Sequence, residues 1–517
     1  MNTFSRFSLF CVGVAFTSLG LSPSVSAQKR AITPPSQQPR CFCGVNVSTP
    51  NDDSAEQRFS TSHSAFAVRG VNNATTAPTI SDGVFREYRL AVYMTNEGFR
   101  SEQLNQDVSK VKAFWKELET FLNNIYVRDL GVRFTIVQDE RLIEKSYKGS
   151  YAYDAGTKLI NAAIGSDAYD IGIVVNYIEG GALQGLASPG GVKFQDRKGW
   201  AIVNSQEMIT IGHELGHLFG ADHPFVGGAG LVGRCTEPKS GQSMMSYGYP
   251  YKEDFISLES LRMMQPVTKA SDFKLPTEAK HTSPNNTAPR IDRAKMRAEY
   301  RVPKGTFFTI PVYATDAEQS SLLYAFNQFG CHSGNPATFP VFPPQHDAKL
   351  SVGRRYGGAS MIANSDEIPV GNYQFWLSVS DALPVEEAIA KKQAPLYDGY
   401  IANVKVVNAT PFKITSNIAS QYAMGQKLTL KWSVDKTFFK EGSKVRVLMS
   451  DDFGETFSHV LVPSTANDGE CEVYIPQKLM EKFSTYFNIW FAGKGLIRLE
   501  TIDDDFQYYD LSNNALV

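Results

Sequence analysis

The sequence predicts a multidomain chain in which an α/β (α+β) domain is followed by two all-β sandwich domains. The 517 residues exceed what one hydrophobic core can organise. Between about residues 85 and 268, strand-like and helix-like patterns alternate, as they do where helices pack on a sheet. From residue 290 the pattern changes to short strands separated by turn-rich stretches.

The elements follow in order. Arg6 supplies a positive start, residues 9–21 form an apolar run, and Val25-Ser26-Ala27 offers small residues for cleavage. Residues 1–27 therefore read as a secretory signal peptide, since the run is too short to span a bilayer. The chain is expected to be secreted, either extracellular or held in the periplasm or at the cell surface. Residues 28–84 are rich in Ser, Thr, Asn, Pro and Gln and read as a leader or pro-segment.

Residues 88–94 alternate like a strand, and Leu104, Val108, Val111, Trp115, Leu118, Leu122 and Ile125 recur at helical spacing. Residues 132–137 and 170–175 read as strands, with Gly185-Leu186-Ala187 and residues 200–203 as shorter ones. Residues 208–219 and 255–264 read as helices, closing the α/β domain at 85–268. Pro276, Pro284, Asn285, Asn286 and Pro289 mark 269–289 as a linker. Strand patterns at 307–313, 322–326 and 373–379 suggest an immunoglobulin-like β-sandwich over 290–409. Those at 428–432, 444–449, 471–475 and 486–490 suggest a second sandwich over 410–517.

The formal net charge of −2 offers no electrostatic footprint for nucleic acid or an anionic membrane. After the signal, no run approaches ~18 uninterrupted apolar residues, so no membrane span is expected. Oligomeric state is not legible. The mature chain keeps Cys41, Cys43, Cys235, Cys331 and Cys471, too sparse a set for a disulfide scaffold.

Three of the chain's eight histidines fall within His213-Glu214-Leu215-Gly216-His217-Leu218-Phe219-Gly220-Ala221-Asp222-His223. His213 and His217, four apart, project from one face of a helix, so both imidazoles can reach one Zn²⁺. Gly220 permits a left-handed turn that ends the helix and swings His223 back as a third ligand. Three neutral histidines leave a position open for water, as a catalytic zinc site requires. Glu214, beside the first ligand, faces the open side, where a carboxylate can act as general base.

This motif, with Ser243-Met244-Met245-Ser246-Tyr247 downstream, resembles the metzincin metallopeptidases. The overall layout is most similar to bacterial reprolysin (adamalysin)-like secreted enzymes. The resemblance implies a zinc-dependent endopeptidase acting on protein or peptide substrates, with one catalytic Zn²⁺. It also implies that Met245 forms an apolar floor beneath the ligands and that Tyr247 reaches the zinc or the transition-state oxyanion. Gly185, Leu186 and Ala187 would be the edge strand that pairs with extended substrate. Pro224, after the third histidine, departs from the adamalysin pattern, where Asp is usual.

Pro39-Arg40-Cys41-Phe42-Cys43-Gly44 resembles the segment by which matrix metalloproteinase pro-segments block their zinc. Cys41 or Cys43 is thus a candidate latency ligand; the competing reading is a disulfide from one of them to Cys235. Calcium has no support beyond acidic runs such as Asp503-Asp504-Asp505, which read as solvated surface. The alternative function is an adhesion or binding protein that works through its β-sandwiches and carries a vestigial zinc domain.

Overall fold

The computed structural model describes residues 76–149, 151–178, 184–225, 235–248, 252–331, 337–353, 368–418, 426–452, 454, 456–475 and 495–512, all within one compact unit, Pro39–Val517. The signal peptide, Cys41, Cys43, the Gly-rich residues 227–231 and the strand expected at 486–490 lie outside them.

The α/β region is organised around β1 (Val84–Met94). Thr95 caps the short helix α1 (Asn96–Arg100), and Asp107 caps α2 (Val108–Leu130), accepting from Ser109 N. The long helix therefore begins after Leu104, which is buried from the preceding turn and so continues the apolar periodicity without being helical. Val111, Trp115, Leu118, Leu122 and Ile125 form its buried stripe, and Gly131, at φ 70°, ends it. Then come β2 (Val132–Ile136), α3 (Gly156–Ile164), β3 (Ile171–Val175), β4 (Gly185–Ala187), β5 (Ala201–Val203) and α4 (Met208–Leu218).

The sheet order is β2-β1-β3-β5-β4. All pairs along it are parallel except β4 with β5, so an antiparallel strand forms the edge. Every residue of β3 is buried, as expected of a central parallel strand covered on both faces. Tyr88, Tyr126, Phe134 and Phe219 make an aromatic cluster that pins the end of α4 to α2 and the sheet, with Tyr88 edge-on to Phe219 at 5.3 Å. Burying a side chain such as Phe219 stabilises by about 2–3 kcal/mol.

The segment expected to be a linker is part of this fold. Helix α5 (Leu258–Ala270) runs past Pro266, and β6 (Lys280–Thr282) pairs antiparallel with the start of β1. A three-residue strand flanked by Pro and Asn carries no periodic signal. The end of the expected leader is also structured: Ile80 is buried and Ser81 Oγ donates to the Pro395 carbonyl.

Beyond 290 the described chain is largely β, with one short helix, α6 (Val385–Lys391). Leu323–Phe329, Gly371–Ser380, Tyr397–Val407 and Tyr300–Pro303 form a four-stranded sheet. A six-stranded sheet runs Lys349–Ser351, Phe307–Pro311, Gln507–Leu511, Leu496–Thr501, Lys444–Ser450, His459–Ala466. It hydrogen-bonds strands from both sides of residue 409, because Phe307–Pro311 pairs with Gln507–Leu511. The two β segments thus share a sheet, a non-local pairing that strand patterns alone do not encode.

The α/β and β regions are packed together. Phe85, Val127, Ala388 and Ala394 form an apolar cluster between α2 and the α6 segment. A Cβ at Gly131 would stand 2.6 Å from that of Ala394, so only glycine permits this approach. Tyr397 donates its hydroxyl to the Asp129 carbonyl at 2.8 Å, while the buried Asp129 carboxylate accepts from Arg128 and from Ile256 N.

Candidate metal centre

Helix α4 carries His213, Glu214 and His217, all buried. It ends in a Schellman arrangement: Ala221 N donates to Gly216 O at 3.0 Å and Gly220 N to His217 O at 2.7 Å. Gly220 sits at φ 92°, and a Cβ there would meet Val267 Cγ2 at 2.5 Å. Only glycine suits both the backbone and the space. The reversal brings His223 back over the helix.

The three Nε2 atoms converge to 3.1–3.2 Å from one another. Nδ1 of His213 donates to the Met244 carbonyl at 2.7 Å, and Nδ1 of His217 to the Ala221 carbonyl at 2.8 Å. With the proton held on Nδ1, each Nε2 lone pair faces the common centre, as a ligating histidine requires. Burial pushes all three imidazoles below their usual 6.5: His213 far below, aided by the Lys252 ammonium, His217 also down, and His223 to about 2. They are neutral at pH 7, the form that binds a cation. Lys252 Nζ lies 3.1 Å from His213 Nδ1, but the shorter Met244 contact takes that nitrogen's proton, so Lys252 acts there through its charge. Among the described residues, this is the group of His, Cys, Asp and Glu able to hold a metal ion. Nitrogens so spaced suit an ion at ~2.0–2.1 Å from each, and the donor set suits Zn²⁺.

Residues 114–224 match the model of the reprolysin-like metallo-peptidases, family M12B. This segment is reprolysin-like. The match ends one residue past His223 and so covers the whole triad. No curated protein matches the chain. Among solved structures, the chain is similar to the N-terminal four Ig domains of Dscam1 isoform 4.44 at 8% identity, TM-score 0.15, covering 45% of this chain and 46% of that one. It is similar to fibronectin(III)-like modules of Clostridium thermocellum CbhA at 15% identity, TM-score 0.13, covering 43% and 92%. The chain thus spans less than half of the Dscam1 structure.

Beyond the matched residues, the segment 243–247 passes directly beneath α4. Met244 and Met245 are both fully buried. A Cβ at Gly216 would stand 2.3 Å from Met245 Sδ, and one at Gly212 would stand 3.0 Å from Met244 Sδ. Two glycines one helical turn apart therefore admit two methionine sulfurs against α4. Sequence reading singled out Met245 alone; the sulfur of Met244 and its carbonyl are equally engaged.

Tyr247 packs its ring on His223 at 4.9 Å and on Phe225 at 4.7 Å. Glu214 lies against β4: a Cβ at Gly185 would meet Glu214 Oε1 at 2.4 Å, so glycine at 185 makes room for the carboxylate. Gly185, Leu186 and Ala187 are thereby brought to the metal centre on an edge strand, and Gly190 N just beyond donates to His217 O. Cys235 is buried, with a free thiol among the described residues, and the two partners considered for it, Cys41 and Cys43, lie outside them. Asp503 accepts from Lys444 N, Asp504 pairs with Arg297, and Asp505 accepts from the Tyr313 hydroxyl, so this acidic run braces loops of the β region.

Proposed function

We propose that this chain is an exported zinc-dependent endopeptidase. The single observation that carries the reading is the convergence of three buried, neutral imidazoles on one point, inside a segment matching the reprolysin-like peptidases. His213, His217 and His223 would hold the Zn²⁺, which when bound supplies Lewis-acid polarisation of a scissile carbonyl and of water. Glu214, seated between α4 and β4, takes the proton from the attacking water and returns it to the leaving amine. Its near-complete burial keeps that transfer away from bulk solvent. The outer edge of β4, unpaired among the described residues, would take up an extended peptide backbone and run the substrate past Glu214. Tyr247, whose ring packs on His223, would assist at the oxyanion. The signal-like residues 1–27 support export.

Digestion of an unbiased peptide library, with and without a chelator, tests this reading. Chelator-sensitive cleavage is expected, and Glu214→Ala should keep zinc while losing cleavage. A rival reading, in which the extensive β region binds a partner and the zinc domain is vestigial, requires that wild type and Glu214→Ala be equally inert.

A further inference from the structure

We propose that Glu237 is a positioning residue of the metal centre, its buried carboxylate serving as the template around which residues 241–246 fold. The inference rests on the peptidase reading for its functional meaning. Its structural content is independent of that reading.

Glu237 is fully buried. Its Oε2 accepts from Gln242 N at 2.8 Å, Ser243 N at 3.1 Å and Ser246 Oγ at 2.9 Å, while Oε1 accepts from Ser243 Oγ at 2.5 Å. Four donors from five consecutive residues thus converge on one carboxylate. Successive backbone N–H groups wrapped on an anion form a nest, an arrangement that compensates the desolvation of a buried charge. Gly241, at φ 66°, completes it: a Cβ there would stand 2.1 Å from Ser246 Oγ and 2.7 Å from Glu237 Oε2.

The same residue is tied to both ends of the ligand set. Its backbone N–H donates to the carbonyl of Pro224, the neighbour of His223, at 2.9 Å. The turn it gathers presents the Met244 carbonyl to His213 Nδ1 and the Met245 sulfur to Gly216. Glu237 therefore connects the segment of the third ligand to the group that sets the tautomer of the first. An apolar residue at 237 would leave two buried N–H groups and two hydroxyls without their acceptor. The turn would have to reopen to solvate them.

The test uses full-length Glu237→Ala and Glu237→Gln, with Zn²⁺ affinity read by chelator competition and amide exchange read at Gln242 and Ser243. Glu237→Ala should bind Zn²⁺ roughly tenfold or more weakly and lose protection at both amides. Glu237→Gln, keeping one acceptor oxygen, should fall between it and wild type. Raising free Zn²⁺ should restore cleavage by Glu237→Ala but not by Glu214→Ala; because Zn²⁺ would also rescue a merely destabilised fold, amide protection in β3 should stay at its wild-type level while that at Gln242 and Ser243 is lost. Should Glu237→Ala fail to fold, Ser243→Ala and Ser246→Ala each remove one donor and should weaken Zn²⁺ binding by smaller steps. Wild-type affinity and wild-type amide protection in a folded Glu237→Ala would overturn the proposal. If wild type itself binds no Zn²⁺, the peptidase reading fails, and amide exchange alone still decides the role of Glu237 in the turn.

Discussion

The Met244 carbonyl oxygen lies 2.7 Å from Nδ1 of His213, joining the turn at 241–246 to a helix that the motif predicts. Through it, the apolar floor beneath α4 also fixes the protonation state of a candidate ligand.

Because this contact orients Nε2, Met244 cannot change backbone conformation freely. Met244→Pro leaves the carbonyl in place but removes the N–H that donates to Phe255 O at 2.8 Å. Zinc affinity should fall about 10–100-fold, measured by chelator competition. Met244→Leu, which keeps the backbone, should stay close to wild type.

Gly220→Ala should be destabilising on two counts, the positive φ and the 2.5 Å approach to Val267. The expected loss is about 1–3 kcal/mol in denaturant unfolding. It should be accompanied by weaker zinc binding, because the reversal that delivers His223 is disturbed.

Zinc bound only by the folded state should stabilise it. At a free concentration about 100 times its Kd the gain is about 2.7 kcal/mol, or a rise on the order of 5–10 °C in the unfolding midpoint of this region. A chelator should remove that rise from wild type and leave a His217→Ala variant unaffected.

Burial raises the Asp381 carboxyl from 3.8 to about 6, Asp316 adding to the effect and the Leu396 N–H and Asn286 amide opposing it. The folded state holds this proton more tightly than the unfolded chain does. Its contribution is therefore fully present below about pH 3.8 and lost as pH rises through about 6. Wild-type stability should fall relative to Asp381→Asn between those limits, by an amount on the order of 2–3 kcal/mol. Paired denaturant titrations at pH 4 and pH 7 check it.

Asp129 joins the α/β and β regions through Arg128, Ile256 N and Tyr397. Asp129→Ala should cost about 3 kcal/mol, since it strands a largely buried guanidinium and a buried N–H. Thermal unfolding followed by zinc release should show the α/β region weakened, while the Tyr397 bond to the Asp129 main-chain carbonyl survives the substitution.

By itself the sequence determined the helix that carries His213 and His217, the glycine that ends it, the three histidines and strands β1 to β5 of the α/β sheet. Each is a local pattern: helical spacing, strand alternation, or a glycine required at positive φ. Even the three-residue β4 was legible at its observed bounds. What lay beyond reach was set by long-range pairing. Nothing local marks Glu237 as the anion beneath the turn, because its donors become neighbours only once the chain has folded back. Nothing in 269–289 announces β6, and nothing near residue 409 reveals that Gln507–Leu511 will pair with Phe307–Pro311 across nearly 200 residues. Tertiary structure alone decided those contacts, since hydrogen bonds between distant segments depend on packing that no short window of sequence specifies.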